Sequence, residues 1–360
     1  MTGTAEDMNA TRSLEGMRAF RKLGPGPGDA GVVSMSGRAP DPGEALIAVD
    51  ACGICGSDLH AFNADPGYEW INIPVVLGHE FSGTVVATGS GPARLREGDH
   101  VVAMSIQGCG HCTICLSGSM QLCSDRKVIG LSYDGGLADY VVVPERYLIE
   151  VPAGLDLRSA ALTEPLSVAV HAVADKARIV PGERVVVTGP GPIGMLCGLV
   201  AARSGAEVLM IGTPRDEERR LPLAESYGLR TSVTDEDGCA TGIKEHFGSD
   251  APEAWIDASG ATAPLEEALQ LIRSGGRIVV VGMYTASIDL PVTHAVRKEV
   301  SYDFSYASGP DDYPIALELL RSGAIDAGPM QDTFPLEQAS DAFEAARSAG
   351  VAKATIVPSR

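Results

Sequence analysis

The sequence predicts an α/β protein in which a β-rich domain is joined to a doubly wound parallel sheet. Short stretches of β-branched residues bounded by turn residues fill residues 17–152. After residue 166, segments typical of buried strands alternate with segments typical of helices. A glycine-rich turn, GPGPIG, joins one such strand to one such helix. A chain of 360 residues has the length expected of two domains.

The first domain is assigned to residues 17–166 and 306–360. Its predicted strands include EALIAVDAC, FSGTVVATG, DHVVAMS and ADYVVVP, each short and bounded by Gly, Pro, Asp or Ser. Residues 306–360 carry two predicted helices and the strand ATIVP, and we expect this segment to pack back on the first domain. Residues 1–16 are small and polar, so we expect a disordered tail there.

The second domain is assigned to residues 167–305 and consists of repeated strand–helix–strand units. The predicted strands are ERVVVTG, AEVLMIG, AWIDASG and RIVVVGMY; the helices are PIGMLCGLVAARSG, DEERRLPLAESYG, despite Pro222, and PLEEALQLIRSGG. This alternation predicts a parallel sheet with crossover helices. The strand RIVVVGMY fits either an edge between subunits or an internal strand.

Charge and the lack of targeting segments limit the classes of partner. The formal net charge of −19 disfavours binding to nucleic acid or to anionic membrane surfaces. The start, MTGTAEDMNATRSLEG, has no apolar core of a signal peptide, and no run of about 18 apolar residues predicts a membrane span. We therefore expect a cytoplasmic protein, in a reducing compartment where disulfides are rare.

Half of the eight cysteines lie in one short segment, GCGHCTICLSGSMQLC. Cys109, Cys112, Cys115 and Cys123 follow the spacing C-x2-C-x2-C-x7-C, in which short hooks supply thiolates from tight turns. Redox-active or incidental cysteines are the alternative. The pattern favours a structural zinc ion, because four sulfur ligands leave no open position for a substrate.

The turn VVVTGPGPIGM carries a G-x-G-x-x-G motif between a predicted strand and a predicted helix. The glycines are Gly189, Gly191 and Gly194, with Pro192 and Ile193 before the last of them. Such glycines permit a tight turn, a close approach of the backbone to a pyrophosphate, and close packing of helix and strand. The motif therefore predicts a dinucleotide-binding (Rossmann) domain, with an ordinary glycine-rich turn as the alternative.

The end of the second strand of this domain bears on the choice between NAD and NADP. NAD-binding proteins usually carry an acidic residue there, bonded to the ribose hydroxyls. Here LMIGTPRDEERR places Gly212 and Thr213 at that position, followed by Arg215. An arginine binds a 2′-phosphate in bidentate fashion, so the sequence favours NADP. The alternative is that Asp216 folds back to serve NAD.

Three further segments supply candidate residues for a second, catalytic zinc site. CGICGSDLH contributes Cys52, Ser57 and His60; GHEFSG contributes His79 and Glu80; TEPLSVAVHA contributes Glu164. One thiolate, one imidazole and one carboxylate leave a fourth position of a zinc ion open to water or substrate. Zinc in such a site polarises an alcohol oxygen and lowers its pKa. Without further support, a lone histidine or cysteine is more often structural.

These motifs stand in the order found in zinc-dependent medium-chain dehydrogenases, which the chain resembles over nearly all of residues 17–358. CGICGSDLH and EPLSVAVHA are most similar to the sorbitol (polyol) dehydrogenase branch. The resemblance implies a GroES-like catalytic domain and a Rossmann domain, with two zinc ions per chain and NAD(P) as cofactors. It also implies a secondary alcohol or polyol as substrate, or the matching ketone, and a homodimer or homotetramer.

The resemblance further implies the ligands of the catalytic zinc. Cys52, His79 and Glu80 are the expected ligands. Glu164 is expected at or near the metal, where it exchanges with Glu80 or with water. Cys55 is expected to be a buried small residue and not a ligand, because two thiolates so close together would alter the charge of the site.

Other residues near these motifs have expected roles that do not involve the metal directly. The resemblance implies that Ser57 accepts the proton of the substrate hydroxyl and that His60 helps to pass it outward. Asp58 is expected to orient its loop or a ligand. His171 and Cys197 lie on apolar predicted helices and are expected to be packing residues.

The substrate is the least determined part of this interpretation. Polyol enzymes carry an Arg-Tyr pair near the substrate, where this chain has Ser305 and Tyr306 in DFSYASG, which argues against sorbitol itself. Phe62, Tyr68 and Trp70 are expected to make the pocket partly aromatic and to favour a less polar or larger alcohol. Two rival functions are a zinc-free quinone or enoyl reductase and a catalytically silent NADP-binding protein. The complete ligand set argues against both.

Overall fold

The computed structural model describes residues 14–284 and 287–359, which divide into two compact units. The first unit contains Met1–Glu164, Ala316–Ser348 and Lys353–Arg360, and the second contains Pro165–Ile315 and Ala349–Ala352. The structure thus divides the chain after residues 164 and 315, where the sequence placed the divisions after 166 and 305. Most of the predicted tail lies outside the described residues, but Leu14 is buried.

Strands and helices are numbered in chain order. The strands are β1 Met17–Lys22, β2 Ala30–Met35, β3 Glu44–Gly53, β4 Val75–Val76, β5 Glu80–Thr88, β6 His100–Ala103, β7 Ile106–Gln107, β8 Lys127–Val128, β9 Tyr140–Pro144, β10 Leu148–Glu150, β11 Arg184–Thr188, β12 Glu207–Gly212, β13 Arg230–Val233, β14 Ala254–Asp257, β15 Arg277–Val280, β16 Ser301–Phe304, β17 Gln331–Pro335 and β18 Lys353–Val357. The helices are α1 Gly56–Asn63, α2 Thr113–Leu116, α3 Leu157–Ala160, α4 Thr163–Val170, α5 Pro192–Arg203, α6 Arg220–Ser226, α7 Ala240–Phe247, α8 Thr262–Leu271, α9 Val292–Lys298, α10 Asp312–Arg321 and α11 Ala339–Arg347. A π-helical segment, His171–Ala177, continues α4, and short 3-10 turns include Met120–Leu122 and Pro214–Asp216.

The first unit is built on a mixed sheet with strand order β10-β6-β5-β3-β18-β17, in which β9 also pairs with β3. A three-stranded sheet, β2-β1-β4, and the short pair β7-β8 complete its β-structure. Strand β3 is buried along most of its length, which explains why its sequence, EALIAVDAC, is almost continuously apolar. The C-terminal strand β18 pairs antiparallel with β3, at Ile356 opposite Cys52.

The register between β3 and β5 brings two sequence motifs together. Gly53 lies opposite Glu80, and Cys52 lies opposite Phe81. Side chains near the end of β3 and the start of β5 therefore occupy the same place in the fold, although the motifs are more than twenty residues apart. A Cβ at Gly53 would collide with the Glu80 carboxylate, so the close approach of the two strands requires glycine there.

The second unit is a parallel sheet of order β13-β12-β11-β14-β15-β16. This is the 3-2-1-4-5-6 order of a dinucleotide-binding fold, with a switch point between β11 and β14. The predicted fold class, including the doubly wound sheet, is confirmed. Strand β15 is paired on both sides, so RIVVVGMY contains an internal strand and not a sheet edge.

Helix α6 is shorter than the segment DEERRLPLAESYG predicts. The helix begins at Arg220, and the residues before it form a 3-10 turn at Pro214–Asp216 and further turns. Pro222 lies in the first turn of α6, where its missing N–H removes no hydrogen bond within the helix. Within residues 14–284 and 287–359, no helix has both the length and the apolar character needed to cross a membrane.

Candidate active site and metal centres

The four-cysteine loop brings its sulfur atoms into one compact group. The ligand atoms of Cys109, Cys112, Cys115 and Cys123 all lie within 4.8 Å of one another. Cys109 Sγ and Cys115 Sγ are 3.9 Å apart, and Cys112 Sγ and Cys123 Sγ are 3.8 Å apart. A tetrahedral zinc ion with Zn–S bonds of about 2.3 Å places its sulfurs about 3.8 Å apart. The distances therefore fit a zinc ion and are far too long for a disulfide, whose sulfurs are about 2 Å apart.

Backbone N–H groups donate to two sulfurs of this loop, and the pKa of one thiol, Cys109, is lowered, whereas that of Cys115 is raised to about 12. The N–H of Cys109 donates to Cys123 Sγ, and the N–H of Cys115 donates to Cys112 Sγ, both at 3.4 Å. The backbone N–H of His111 contributes most to lowering the pKa of Cys109, to about 6. Because zinc binds the deprotonated form of cysteine, these N–H groups prepare the loop for the metal.

A second cluster of metal-ligating side chains is buried elsewhere in the first unit. Cys52 lies near the end of β3, His79 and Glu80 lie at the start of β5, and Glu164 lies in the first turn of α4. All four are at most 7% exposed. The fold therefore brings together the side chains that the sequence assigns to a catalytic zinc.

Asp58 fixes the position of the loop that carries His79. Its fully buried carboxylate accepts hydrogen bonds from the backbone N–H of Cys55 at 2.9 Å and of Gly78 at 3.1 Å. Its Oδ1 lies 3.6 Å from His79 Nδ1, which leaves His79 Nε2 to face the other way. The expectation that Asp58 orients a loop or a ligand agrees with these contacts.

Each carboxylate of the cluster also has a partner that the sequence did not indicate. Glu80 forms an ion pair with Lys353, the first residue of β18, and both side chains are at most 3% exposed. Lys353 Nζ also donates to the carbonyl oxygen of Ile54 at 2.9 Å. Ser105 donates its hydroxyl proton to Glu164 Oε1 at 2.5 Å.

The four candidate ligands do not form a group as compact as the four sulfurs. Among the described residues, only the four cysteines and the set His171, Asp175 and Asp312 have all their ligand atoms within 4.8 Å of one another. The assignment of Cys52, His79, Glu80 and Glu164 as zinc ligands therefore stays a prediction.

The charges of this cluster nevertheless suit a dication. Burial raises the pKa of the Asp58 and Glu164 carboxyls and raises the pKa of the Cys52 thiol well above its usual value. Burial alone would lower the pKa of His79, but Asp58, Cys55 and Glu164 together outweigh it, so this pKa lies well above normal. Lys353 is the buried lysine among these acids, and a bound dication would stabilise the ionised thiol and carboxylates. The donor set therefore fits zinc.

Ser57 and His60 lie one helical turn apart on α1. Ser57 Oγ lies 3.3 Å from His79 Nε2, the nitrogen that faces away from Asp58. His60 Nδ1 is hydrogen-bonded to Asp65 Oδ2 at 2.7 Å, and its side chain is 34% exposed. Ser57 thus lies beside the buried cluster and His60 is partly exposed, and their roles in a proton relay stay a prediction.

The glycine-rich turn of the second unit has the geometry of a pyrophosphate site. Gly189 has a φ of +88°, and a Cβ there would come within 2.6 Å of Ser259 Cα. A Cβ at Gly194 would collide with the carbonyl oxygen of Gly189, whereas a Cβ at Gly191 would meet nothing within 4 Å. The turn is therefore tight at its first and third glycines and open at the second, where helix α5 begins with Pro192 and Ile193.

Asp216 folds inward in the loop after β12. Its carboxylate accepts hydrogen bonds from the N–H and the hydroxyl of Thr213, at 3.0 Å and 2.9 Å, and it lies 3.5 Å from the guanidinium of Arg220. Asp216 is buried, whereas Arg215 is exposed. Gly212 ends β12 and has no side chain to offer.

Both halves of the chain match known families. Residues 41–153 match the alcohol dehydrogenase GroES-like domain, and residues 192–322 match the zinc-binding dehydrogenase family. D-arabitol-phosphate dehydrogenase of Enterococcus avium is 34% identical over 332 residues, which cover 91% of this chain and 94% of that protein. Sorbitol dehydrogenase of Halalkalibacterium halodurans is 33% identical over 348 residues, which cover 95% of this chain and 99% of that protein. The chain belongs to the zinc-dependent medium-chain dehydrogenase family.

A solved structure supports this membership at the level of the whole fold. A zinc-binding dehydrogenase of Sinorhizobium meliloti 1021, bound to NADP, matches with a TM-score of 0.86 at 28% identity, over 95% of this chain and 99% of that one. The chain is an alcohol or polyol dehydrogenase of the sorbitol dehydrogenase-like branch, with zinc and NAD(P) as cofactors. The family, fold class and cofactors predicted from the sequence are confirmed.

Two sequence-based expectations about this dehydrogenase need correction. His171 is more than a packing residue, because its Nδ1 lies 2.9 Å from Asp175 Oδ2 and 3.4 Å from Asp312 Oδ2. Phe62 packs against Phe20 and Phe343, at centroid distances of 6.2 and 5.0 Å, so it belongs to an aromatic core cluster. Apolar sequence surroundings do not reveal the polar partners of a histidine or the direction of an aromatic ring.

Three residues near the sites were missed by the sequence reasoning. Lys353 and Ser105 hold the two glutamates, and Asp257, fully buried at the end of β14, accepts from the hydroxyls of Thr188 and Ser259 at 2.7 Å. Lys353 gives a weak signal, as a single cation at the start of an apolar strand. Ser105 gives none.

Proposed function

We propose that the protein interconverts a secondary alcohol of a polyol-like molecule and its ketone, using NADP and a catalytic zinc held by Cys52, His79 and Glu80, with Glu164 beside it. The observation that carries this proposal is the buried cluster itself, with Ser57 Oγ 3.3 Å from His79 Nε2. An alcohol oxygen placed beside His79 Nε2 would lie within reach of the Ser57 hydroxyl.

The cofactors supply the redox chemistry, and residues of the chain orient the groups that bind them. When bound, zinc lowers the pKa of the substrate hydroxyl and the nicotinamide accepts the hydride from the carbinol carbon. Asp58 holds His79 in one orientation through its hydrogen bond to Gly78 and its contact with His79 Nδ1. Lys353 compensates the charge of Glu80, and Ser105 donates a hydrogen bond to Glu164.

The proton of the alcohol leaves by a path made of side chains on α1. Ser57 accepts this proton while it passes its own hydroxyl proton to His60 or to a water between them. His60 is partly exposed and is held by Asp65, so it releases the proton to solvent. In the reverse direction the same groups deliver a proton to the ketone oxygen.

The preference for NADP rests on the loop after β12. Asp216 is committed to Thr213 and Arg220, so it is not free to bind the ribose hydroxyls as an NAD-selective acid does. Arg215 is exposed beside it and suits a 2′-phosphate. Arg215→Ala should weaken NADP binding about tenfold or more while leaving NAD binding unchanged, which serves as the internal control.

The substrate we propose is a polyol or secondary alcohol with an apolar portion. Tyr68 stacks on His60 at a centroid distance of 5.1 Å and on Trp70 at 6.4 Å, and Trp70 is 52% exposed. This pair forms an aromatic rim next to the relay histidine. Ser305 is buried and its hydroxyl has no hydrogen-bond partner among the described residues, in place of the arginine of polyol enzymes.

Zinc content and cofactor titration test the proposal together. We expect two zinc ions per chain, tighter binding of NADPH than of NADH, and turnover of at least one polyol or secondary alcohol. His79→Ala should lose one zinc and all turnover, and Cys112→Ser should lose the other zinc. One zinc in the wild type, kept in His79→Ala and lost in Cys112→Ser, would favour a zinc-free reductase. Two zinc ions and bound NADP without turnover of any alcohol or ketone would favour a silent NADP-binding protein.

The cellular location and the oligomeric state of the enzyme are also part of the proposal. All eight cysteines are free thiols, which suits the cytoplasmic location we propose. We propose a homodimer or homotetramer, as the family resemblance implies. Light scattering on the purified, zinc-loaded chain measures this directly, and a monomer at micromolar concentration would contradict it.

A further inference from the structure

A cavity of about 610 Å³ lies within the first unit, apart from both candidate metal-binding clusters except for its contact with Cys109. It is bordered by the β1–β2 hairpin, by the β7–β8 pair and by β9. None of the residues predicted for the catalytic zinc or the proton relay lines it. Its volume is that of a small-molecule binding site.

Two buried polar side chains line this cavity next to each other, Gln107 and Tyr133. Gln107 is 4% exposed, and the only polar group it approaches through its side-chain amide is the Tyr133 hydroxyl, in poor hydrogen-bond geometry among the described residues. The Tyr133 hydroxyl in turn has no acceptor for its own proton in the described part of the chain. Burial raises the pKa of Tyr133, so its hydroxyl is neutral and able to donate. A ligand oxygen in the cavity would supply the acceptor that these donors lack.

The rest of the lining has an apolar wall and a charged border. Met17, Met35 and Val76 form part of one small hydrophobic cluster, and all three line the cavity. At the border, Arg38 is held by Glu44, with Nη2 to Oε1 at 2.8 Å. Lys127 and Arg146 also line the cavity and form no ion pair with a described residue, and Asp125 and Asp134 are further acids in the lining.

From these groups we propose that the cavity is a second small-molecule site, for a ligand with an apolar body and one carbonyl or carboxylate oxygen. The apolar body lies against Met17, Met35 and Val76. The oxygen accepts hydrogen bonds from Gln107 Nε2 and the Tyr133 hydroxyl. The site is separate from the alcohol site, so its occupation does not depend on the zinc and cofactor roles proposed above.

The test uses the full, zinc-loaded chain with ¹³C-methyl methionine, because Met17 and Met35 report on the cavity itself. The probes are 4-phenylbutanamide and 4-phenylbutanoate, with 4-phenylbutylamine as the matched probe that lacks an acceptor oxygen. We expect saturable shifts of the Met17 and Met35 methyl signals with at least one of the first two probes and none with the amine. Met17→Leu and Met35→Leu assign the signals. Met195 and Met210, buried in the second unit, should not move.

Variants decide whether Gln107 and Tyr133 bind the ligand oxygen. Gln107→Leu and Tyr133→Phe should each weaken binding about tenfold. Gln107→Glu keeps the size of the side chain and should weaken the carboxylate probe more than the amide. Gln121→Leu is the matched control, because Gln121 is equally buried, also has an unpartnered oxygen among the described residues, and does not line the cavity.

Three results would overturn the proposal. One is the absence of saturable Met17 and Met35 shifts with either oxygen-bearing probe. Another is equal affinity in wild type, Gln107→Leu and Tyr133→Phe, with the Met195 and Met210 signals showing that the variants are folded. The third is binding that appears only after removal of residues 2–13, which would assign the cavity to the N-terminal segment of the chain itself. Binding of the amide alone or of the carboxylate alone supports the site and identifies the charge it accepts.

Discussion

The four-cysteine loop and the buried cluster around His79 both present metal-ligating side chains in the first unit, but they are built differently. The four sulfurs come from residues 109–123, and their spacing already fits a tetrahedral ion; three of the cysteines are partly exposed and Cys123 is buried. The second cluster draws Cys52, His79, Glu80 and Glu164 from separate elements, and a lysine from β18 joins them. A ligand set within one loop is fixed by local backbone geometry. A set assembled across a sheet depends on the whole fold and on competing partners.

The largest effect should come from removing His79, a proposed ligand of the catalytic zinc in the buried cluster. His79→Ala should lower kcat about a thousandfold or more, equal to about 4 kcal/mol, because the substrate oxygen loses its activating metal. Steady-state rates with a screened polyol measure this. The fold should persist, since the four-cysteine loop is untouched, and circular dichroism serves as the control. Full activity in a zinc-replete preparation would remove His79 from the site.

The ion pair of the buried cluster can be broken without touching a proposed ligand. Lys353→Met should destabilise the first unit by about 3–5 kcal/mol, because it leaves Glu80 buried and unpaired. Urea unfolding measures the loss. Lys353→Arg keeps the charge and is the matched control. An unchanged free energy of unfolding in Lys353→Met would mean that a zinc ion alone compensates Glu80.

The four-cysteine loop should respond in stability more than in chemistry. Cys112→Ser should release one zinc and lower the melting temperature by about 5–10 °C, because the loop loses its metal clasp. Calorimetry with zinc analysis measures both. Residual activity below the melting temperature should remain near wild type. If the variant keeps its zinc and its melting temperature, the loop is not a metal site.

A third group of potential metal ligands in the chain shows that short distances alone do not identify a metal site. His171, Asp175 and Asp312 lie as close together as the sulfurs, but hydrogen bonds already satisfy them. Asp312, followed by Asp175, raises the pKa of His171 above 6.5. The protonated histidine therefore stabilises the fold fully below about pH 6.5, and this contribution is lost as the pH rises through the higher folded-state pKa.

The corresponding variant should give the smallest effect. His171→Asn should cost about 1–2 kcal/mol at pH 6 and less at pH 9, with zinc content unchanged. Unfolding curves at the two pH values give the difference, and Asp175→Asn should reduce it. A loss that grows with pH, or the loss of a zinc ion, would mean that this group is a metal site after all.

The sequence is informative where structure is local and fails where partners come from afar. Short β-branched stretches and the alternation after residue 166 were enough for the fold, and the glycine spacing at Gly189, Gly191 and Gly194 was enough for the tight turn between β11 and α5. Strand β17 was missed, because Gln331–Pro335 has little β-branched character and pairs only through β18. Lys353 was missed as a partner of Glu80, because nothing in AKATIVP says which carboxylate it will meet.

Asp58 ties the chemistry of this enzyme to its architecture in a way that matters for directed evolution. One carboxylate closes the first turn of α1 at Cys55, holds the bend before β5 at Gly78, and steadies His79. A library that varies this position would lose fold and turnover together, so its survivors would teach nothing about specificity. Tyr68 and Trp70 do not combine these two roles. Substitutions at these two positions can therefore be screened with new alcohols while the buried cluster around His79 stays unchanged.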